Sequence, residues 1–228
     1  MGTGYSFRHI DDGIHRMRNI QGYQPSQHQR GVTLAELLVA LGISTVILGA
    51  IYTVYLTQTK TQIVQEDVVG MQQEIRAALN LLVRELRMAG YDPRGVNADN
   101  DPTNDFEGIV YNPFHLHIQA DLSGNGNLSE ANESIQYSHD TTTLTLRRRT
   151  GRGGWQPLAD QVQAFSVEYF DQDGQPTTTS AHIRTVELTI TAQTAHVDPR
   201  YPKNNGRRTF TLRSRVQPRN LAVYQGTS

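Results

Sequence analysis

A predominantly apolar run from Val32 to Leu56 constrains the fold of this chain more than any other feature, and Glu36 is its only formally charged residue. At about 1.5 Å per helical residue the run reaches roughly 37 Å, and a hydrocarbon core is about 30 Å thick. The apolar region of a secretory signal is shorter, about 7–15 residues, and a small-x-small cleavage site follows it. No such site follows this run. It is therefore predicted to be a retained single transmembrane helix.

Charge around the run predicts its orientation. The preceding segment carries four arginines against two aspartates, a net charge of +2: Arg8, Arg16, Arg18, Arg30, Asp11 and Asp12. Positive charge near a membrane helix favours the cytoplasmic side, so the N-terminus is predicted inside and the bulk of the chain outside. That bulk is predicted to be soluble, because the mean hydropathy of the chain is −0.51. The net charge of −1 does not favour nucleic acid as a partner, and the absence of cysteine excludes disulfides and thiolate metal sites.

Past Leu56 the helical period continues with a changed pattern. Apolar residues recur every three or four positions, which is typical of a helix with one apolar face: Val64, Val68, Met71, Ile75, Leu79, Leu82 and Leu86. Gly90 and Pro93 are typical of residues just beyond a helix end. We therefore predict one helix from about residue 33 to 89. Its second half is expected to pack on the chain's own sheet, with a coiled-coil partner as the alternative.

The rest of the chain shows six short segments with alternating polarity or many β-branched residues. They are IVYNPFHLHIQAD, ESIQYSHD, TTLTLRRRT, AFSVEYFD, RTVELTITAQT and RRTFTLRSRVQP, and DQDGQ is predicted to form a hairpin turn. A long helix followed by strands predicts an α+β fold, with an antiparallel β-sheet packed on the helix. The expected division is a leader at 1–31, a transmembrane half-helix at 32–56, an amphipathic half-helix at 57–89 and a β-rich globular domain at 90–228.

The stretch RGVTLAELLVALG at residues 30–42 resembles the processing motif of type IV prepilins, in which a basic leader ends in glycine and Thr-Leu and Glu-Leu-Leu follow. The family's usual first mature residue is phenylalanine, from which Val32 departs. QEIRAALNLLVRELRMAGYDP, LADQVQAFSVEYFDQDG and LRSRVQPRNL are similar to segments of PilW-type minor pilins and of the type II secretion pseudopilin GspJ. The resemblance identifies the chain as a member of the type IV prepilin and minor pilin family, with a type IV pilin-like fold.

The resemblance implies cleavage between Gly31 and Val32 by prepilin peptidase, methylation of the new N-terminus at Val32, and Glu36 at the fifth mature position. Glu36 is then expected to pair with the N-terminal amine of a neighbouring subunit. The alternative is an acid tolerated near the membrane interface, where its cost is lower than at the helix centre.

The resemblance also implies where the protein is located and what it contacts. The expected location is the bacterial inner membrane, with a single pass, a cytoplasmic N-terminus and a periplasmic C-terminal domain, and afterwards the pilus or cell surface. Expected partners are other pilins or pseudopilins through the N-terminal helix, the prepilin peptidase, the inner-membrane assembly platform and the membrane itself. No catalytic residues are predicted, because no G-x-S-x-G, H-E-x-x-H or phosphate-loop pattern occurs. The chain is therefore predicted not to be an enzyme.

The stretch ADLSGNGNLSEANESIQ resembles the opening of a calcium loop, with oxygen-bearing side chains in the order D-x-[DNS]-x-[DN]-G. The candidate metal ligands are Asp121, Ser123, Asn125, Asn127, Glu130 and Glu133. Position 12 is Asn132, where a calcium loop has glutamate, so Ca²⁺ binding is expected at about 10⁻⁴–10⁻³ M. The alternative is an Asn-Gly turn in a polar loop. Calcium is thus the only candidate cofactor.

A second charged stretch, RRRTGRGG, is interpreted as a solvated hairpin turn, with phosphate binding as the alternative. Its arginines are Arg147, Arg148, Arg149 and Arg152.

Taken together, these features predict a minor pilin-like structural subunit that is incorporated in a type IV pilus or primes its assembly. The alternative within the class is a type II secretion pseudopilin. The alternative from another class is a signal-anchored periplasmic calcium-dependent binding domain or hydrolase.

Overall fold

The computed structural model describes residues 31–99 and 101–221. Helix α1 spans Leu34–Met88, within one residue of the predicted bounds at each end. The chain divides into two compact units, Met1–Ile51 and Tyr52–Ser228. All but the last residue of the predicted leader lies outside the described residues.

In the first unit, the described residues expose their side chains on every side. None of the residues from 31 to 51 is buried, although most of them are apolar. Leu37, Leu41 and Val46 are among those more than half exposed. A helix that is apolar all round and has no protein cover is typical of a membrane span. Helix α1 is long and apolar enough to cross a membrane.

In the second unit, the described strands form two antiparallel sheets. The first sheet has five strands in sequential order: β1 (Ile109–Val110), β2 (His115–Gln119), β3 (Ser134–Asp140), β4 (Thr145–Thr150) and β5 (Gln156–Ala159). The second sheet has three: β6 (Val162–Phe170), β7 (Thr185–Gln193) and β8 (Thr209–Val216). Three short 3-10 helices accompany them among the described residues: Val96–Ala98, Ser180–His182 and Asn204–Gly206.

The core of the second unit contains the apolar stripe of α1 and the inner faces of both sheets. The buried helix residues are Met71, Ile75, Ala78, Leu79, Leu82 and Leu86. They share one core cluster with Tyr137 and Leu146 of the first sheet and with Leu188 of the second. The prediction that the stripe packs on the chain's own sheet structure is confirmed from Met71 onward.

The predicted fold class, a long N-terminal helix packed on antiparallel β-structure, is confirmed, but the structure differs from the sheet prediction in two details. The strands form two sheets where one was expected, because strand pairing depends on contacts that are distant in sequence. The segment QPLA at β5 was missed, since it is short and contains Pro157. Proline has no backbone N–H to donate and is confined to edge strands, and β5 is an edge strand of the first sheet. The turn at DQDGQ is confirmed by a hydrogen bond from the Gly174 N–H to the Asp171 carbonyl, 3.2 Å long.

Gly90 ends the helix as the sequence predicts. Its φ is +75°, a left-handed conformation that glycine adopts without strain. Its N–H donates to the carbonyl of Gln119 at the end of β2, over 2.9 Å. A Cβ atom placed on Gly108 would come within 2.4 Å of the Gly90 nitrogen, so the two chain segments meet at a distance only glycine allows.

Candidate functional site

The predicted processing motif continues directly into the first turn of α1. The backbone carbonyl of Thr33 accepts the N–H of Leu37 at 3.1 Å, which places Thr33 at the N-cap. The hydroxyl of Thr33 accepts the N–H of Glu36 at 3.2 Å. In return, the Glu36 carboxylate accepts the N–H of Thr33 at 2.8 Å and its hydroxyl at 3.0 Å. The two residues form a capping box, which satisfies N–H groups that a helix start otherwise leaves unpaired.

The capping box was not predicted, although its signature was present. TLAE at residues 33–36 matches the pattern of Ser or Thr followed three residues later by Glu or Gln. It gives Glu36 a local structural role besides the one the resemblance implies. It also holds the carboxylate at Thr33, the residue that follows Val32, which is the predicted new N-terminus.

The bond predicted to be cleaved is open to solvent. Val32 is 74% exposed and Gly31 is exposed as well. A Cβ atom on Gly31 would meet nothing within 4 Å. The described fold therefore accepts a side chain at position 31 and does not itself require glycine there.

Glu36 is hydrogen-bonded, but no cationic side chain lies within residues 31–51, the described part of the first unit. Residues 31–51 contain no lysine, arginine or histidine. The side chains around it are exposed and apolar, including Leu37 and Val39. An unneutralised carboxylate in an apolar stretch is costly within a membrane, and pairing with a cation offsets that cost.

A second glutamate of α1, Glu85, is neutralised within the chain. Its carboxylate accepts two hydrogen bonds from the guanidinium of Arg148, at 2.7 and 3.1 Å. It also accepts the hydroxyl proton of Tyr137. The side chain of Glu85 is 12% exposed and that of Arg148 is 20% exposed. Burial, together with the hydrogen bond to Glu85, raises the pKa of Tyr137 well above its usual range.

This Glu85 network was missed, and for Arg148 the predicted solvated turn was wrong. Glu85 and Arg148 are 63 residues apart, so no local pattern marks them as partners. Arg148 lies within β4, while Arg152 alone of the four arginines lies in the turn after it. Arg147 forms an ion pair with Asp140 at 3.1 Å. The guanidinium of Arg149 lies 4.7 Å from the ring centre of Trp155.

The six candidate calcium ligands lie in one loop, between β2 and β3. The Asp121 carboxylate accepts backbone N–H groups from Gly124, Asn125 and Gly126, at 2.8, 3.2 and 2.9 Å. The Glu133 carboxylate accepts those of Ser123 and Glu130, at 2.9 and 3.2 Å. Both carboxylates are buried. The Asn125 amide donates to Glu130 at 2.7 Å, and the Asn127 side-chain oxygen accepts the N–H of Ser129 at 3.0 Å.

In this arrangement the two buried carboxylates stabilise the loop itself. Five backbone N–H groups donate to them, three to Asp121 and two to Glu133. Across the described ranges, no three histidine, aspartate or glutamate side chains converge as metal ligands do. Calcium binding and the alternative, an Asn-Gly turn in a polar loop, both stay predictions.

Two protein-family models match the sequence. The one described as prokaryotic N-terminal methylation motif matches residues 26–52, which include Gly31, Val32 and Glu36. The one described as prepilin peptidase-dependent protein B matches residues 66–216, more than half of the chain. The fold and the N-terminal motif define a type IV pilin-like protein that depends on prepilin peptidase. Within that class, the chain belongs to the prepilin peptidase-dependent protein B family.

The predicted relationship to type IV prepilins is thereby confirmed, without distinguishing the PilW type in particular. Among solved structures, a type IV-like pilin from Thermus thermophilus is similar, with 17% sequence identity and a TM-score of 0.41. The alignment covers 66% of this chain and 97% of that one. A comparison with curated proteins finds no significant match.

Proposed function

We propose that this chain is a minor pilin-like structural subunit, cleaved between Gly31 and Val32 and then incorporated in a type IV pilus or its priming complex. One observation supports this most strongly: the exposed apolar part of α1 begins two residues after Val32, and Glu36 is the one acid between Val32 and Leu56. In the described part of the first unit, no protein covers the apolar surface, and no cation pairs with Glu36.

Cleavage creates the partner that Glu36 lacks. A new amine forms at Val32, and in the proposed assembly it pairs with Glu36 of a neighbouring subunit. Two opposite charges attract strongly in a bundle of low dielectric constant, although both must first lose water. The capping box survives cleavage, because Thr33 keeps its N–H and hydroxyl. It holds the carboxylate in place before the neighbour arrives.

The two ends of α1 then have separate roles. The apolar part is proposed to anchor the subunit in the bacterial inner membrane with its N-terminus cytoplasmic, as the +2 charge before Val32 favours. The same part would bundle with the helices of other pilins during assembly. The β-rich unit would be periplasmic and then face outward. Pilin-like proteins are typically non-enzymatic, and we propose no catalytic role.

A type II secretion pseudopilin is the second candidate function, favoured by the likeness of QEIRAALNLLVRELRMAGYDP to the corresponding segment of GspJ. The two candidates share processing and helix bundling. They differ in the filament that contains the subunit. Sheared filament fractions from cells that lack either the pilus or the secretion apparatus separate them.

Mass spectrometry of the protein purified from membranes tests the processing step. The expected mature N-terminus is Val32 carrying one methyl group, and cells without prepilin peptidase should retain the uncleaved chain. A control variant, Val69→Ala, changes an exposed residue of α1 outside residues 26–52 and should be cleaved normally. An intact N-terminus in cells with active peptidase would contradict the proposal and favour a plain signal anchor.

Calcium binding by the loop of residues 121–133 has its own test. If the sequence-based prediction is right, millimolar Ca²⁺ should raise the melting temperature of the protein, as expected for an affinity of about 10⁻⁴–10⁻³ M. The Asp121→Asn variant should lose that increase. An unchanged melting temperature in the unaltered protein would leave the loop as an Asn-Gly turn.

A further inference from the structure

The loop between β7 and β8, residues 194–208, is held in one shape by its own hydrogen bonds; we call it the basal loop. Asp198 accepts two hydrogen bonds from the guanidinium of Arg208, at 3.0 and 2.7 Å. These bonds hold the pKa of Asp198 below its usual range, so the pair stays charged. Gly206 has a φ of +81°, and a Cβ atom there would lie 2.5 Å from Val197. The loop is therefore a rigid support for the residues at its surface.

The basal loop is attached to the part of α1 that follows the apolar run. The Asp67 carboxylate accepts the backbone N–H of His196 at 2.8 Å and lies 2.7 Å from its ring Nδ1. Arg200 approaches the hydroxyl of Thr61 at 3.4 Å. Thr61 and Asp67 are five and eleven residues beyond Leu56, about 7.5 and 16.5 Å along a helix. The guanidinium of Arg200 is therefore nearer to the end of the apolar run than the His196 end of the basal loop.

Apolar side chains are exposed where the basal loop meets the helix. A groove of about 830 Å³ separates Val197 from Ile63 and Val69 of α1. Val197 is 50% exposed, Val69 53% and Ile63 42%. Exposed apolar residues on a rigid support, next to basic ones, are typical of surfaces that contact a membrane interface.

Charge is distributed unevenly between the loops of the second unit. The basal loop carries a net charge of +3, from four basic residues against one acidic: Arg200, Lys203, Arg207, Arg208 and Asp198. The segment 91–108, which follows the C-terminal end of α1, carries −4, from five acidic residues against one arginine. For the ammonium groups of Lys60 and Lys203, the described part of the chain provides no hydrogen bond or ion pair. Positive charge is thus concentrated on the side of the second unit that is next to Leu56, where the apolar run of α1 ends.

We propose that the basal loop is a second membrane contact, which binds the surface of an anionic phospholipid bilayer. Val197 reaches the level of the headgroups, and Lys60, Arg200 and Lys203 face their phosphates. Basic residues close to an anionic surface are attracted to it, and apolar contact adds to that attraction. The inference rests on the proposed function only in that the apolar run must be inserted in the membrane. The contact orients the β-rich unit on the bilayer before assembly and has to be released when the subunit leaves the membrane.

The absence of cysteine makes a direct test possible, because a single introduced cysteine is the only site of labelling. Val197→Cys in the full chain, spin-labelled and reconstituted in nanodiscs with phosphatidylglycerol, should be more accessible to oxygen than to a water-soluble nickel chelate. Leu122→Cys is the matched control, since Leu122 is 43% exposed and lies in the loop after β2, beside the C-terminal end of α1. A label at that control position should be accessible to the chelate.

The charge of the surface is tested with the same label. Phosphatidylcholine nanodiscs, or the changes Arg200→Gln and Lys203→Gln together, should remove the protection at position 197. A label at 197 that is as accessible to the chelate as the label at 122 would overturn the proposal. So would protection that persists in detergent and depends on protein concentration, because a second copy of the chain would then cover the groove.

A third label separates this proposal from the proposed function. A label at Val46→Cys, within the apolar run, should be buried in lipid. If it is not, the membrane anchor itself is wrong, and the basal contact has no basis. If position 46 is in lipid and position 197 is in water, only the basal contact is refuted.

Discussion

Two of the four glutamates in helix α1, Glu36 and Glu85, have surroundings that differ in almost every respect. Glu85 is largely buried and neutralised by Arg148, and it also accepts a hydrogen bond from Tyr137. Glu36 is exposed, and its only hydrogen-bond partner within the described residues is Thr33. The helix around Glu85 buries one apolar stripe, while the described helix around Glu36 buries no side chain.

We infer from this difference that Glu85 contributes to the stability of the folded chain, whereas Glu36, in the proposed function, contributes to assembly. Everything that Glu85 needs is present in one folded chain, so its contribution is to hold the helix on the first sheet. Glu36 has a carboxylate that is hydrogen-bonded in a capping box, but residues 31–51, the part of the first unit that the structure describes, provide no cation for it and no cover for the surrounding apolar surface. Its surroundings are completed only by other molecules: first lipid and, in the proposed function, neighbouring subunits.

Shortening a leucine side chain should show the largest difference between the two parts of the helix in its effect on the free energy of unfolding. Leu82→Ala opens a cavity in a fully buried position and should lower the free energy of unfolding by about 2–5 kcal/mol. The matched change Leu38→Ala, at a position 58% exposed, should leave it nearly unchanged. Thermal unfolding of the detergent-solubilised chain measures both, with Trp155 as the only tryptophan fluorophore. Equal destabilisation by the two changes would contradict the comparison.

Removing the charge of Glu85 should have the next largest effect. Glu85→Gln leaves the guanidinium of Arg148 partly buried without a counter-charge, and we expect a loss of about 3 kcal/mol. The control is Glu66→Gln, the same change at an exposed position of the same helix, which should alter the free energy of unfolding by less than about 0.5 kcal/mol. Should Glu85→Gln prove as mild as the control, the network would not hold the helix on the sheet.

Tyr137→Phe should have a smaller effect, about 1 kcal/mol, since it deletes one hydrogen bond and keeps the ring. It also changes the response to pH. Because the folded state raises the pKa of Tyr137 above its ordinary value of 10.0, its contribution is fully present below pH 10 and is lost as pH rises further. Unfolding curves between pH 8 and pH 11 should therefore fall less steeply for the variant. Parallel curves would show that Tyr137 ionises freely in the folded chain.

The features that the sequence predicts well are the local ones. The bounds of α1 and its buried stripe follow from a 3.6-residue period, and the processing motif is a continuous string of residues. Thr33 and Glu36 could have been recognised as a capping box from the same string. In contrast, the bond between Glu85 and Arg148 joins residues that come together only when β4 packs beside the helix. The division into two sheets likewise depends on pairings such as β6 with β7, which no single segment specifies.

Incorporation of glutamate variants into filaments tests the central claim most directly. Glu36→Gln keeps the size of the side chain and much of the capping box but removes the charge. We expect it to reach the membrane, to be cleaved before Val32, and to be strongly depleted from sheared filament fractions relative to the unaltered chain. Glu66→Gln, the same change at an exposed position of the same helix, should be incorporated normally. Normal incorporation of Glu36→Gln would contradict the proposed pairing and leave Glu36 as a helix cap that the membrane tolerates.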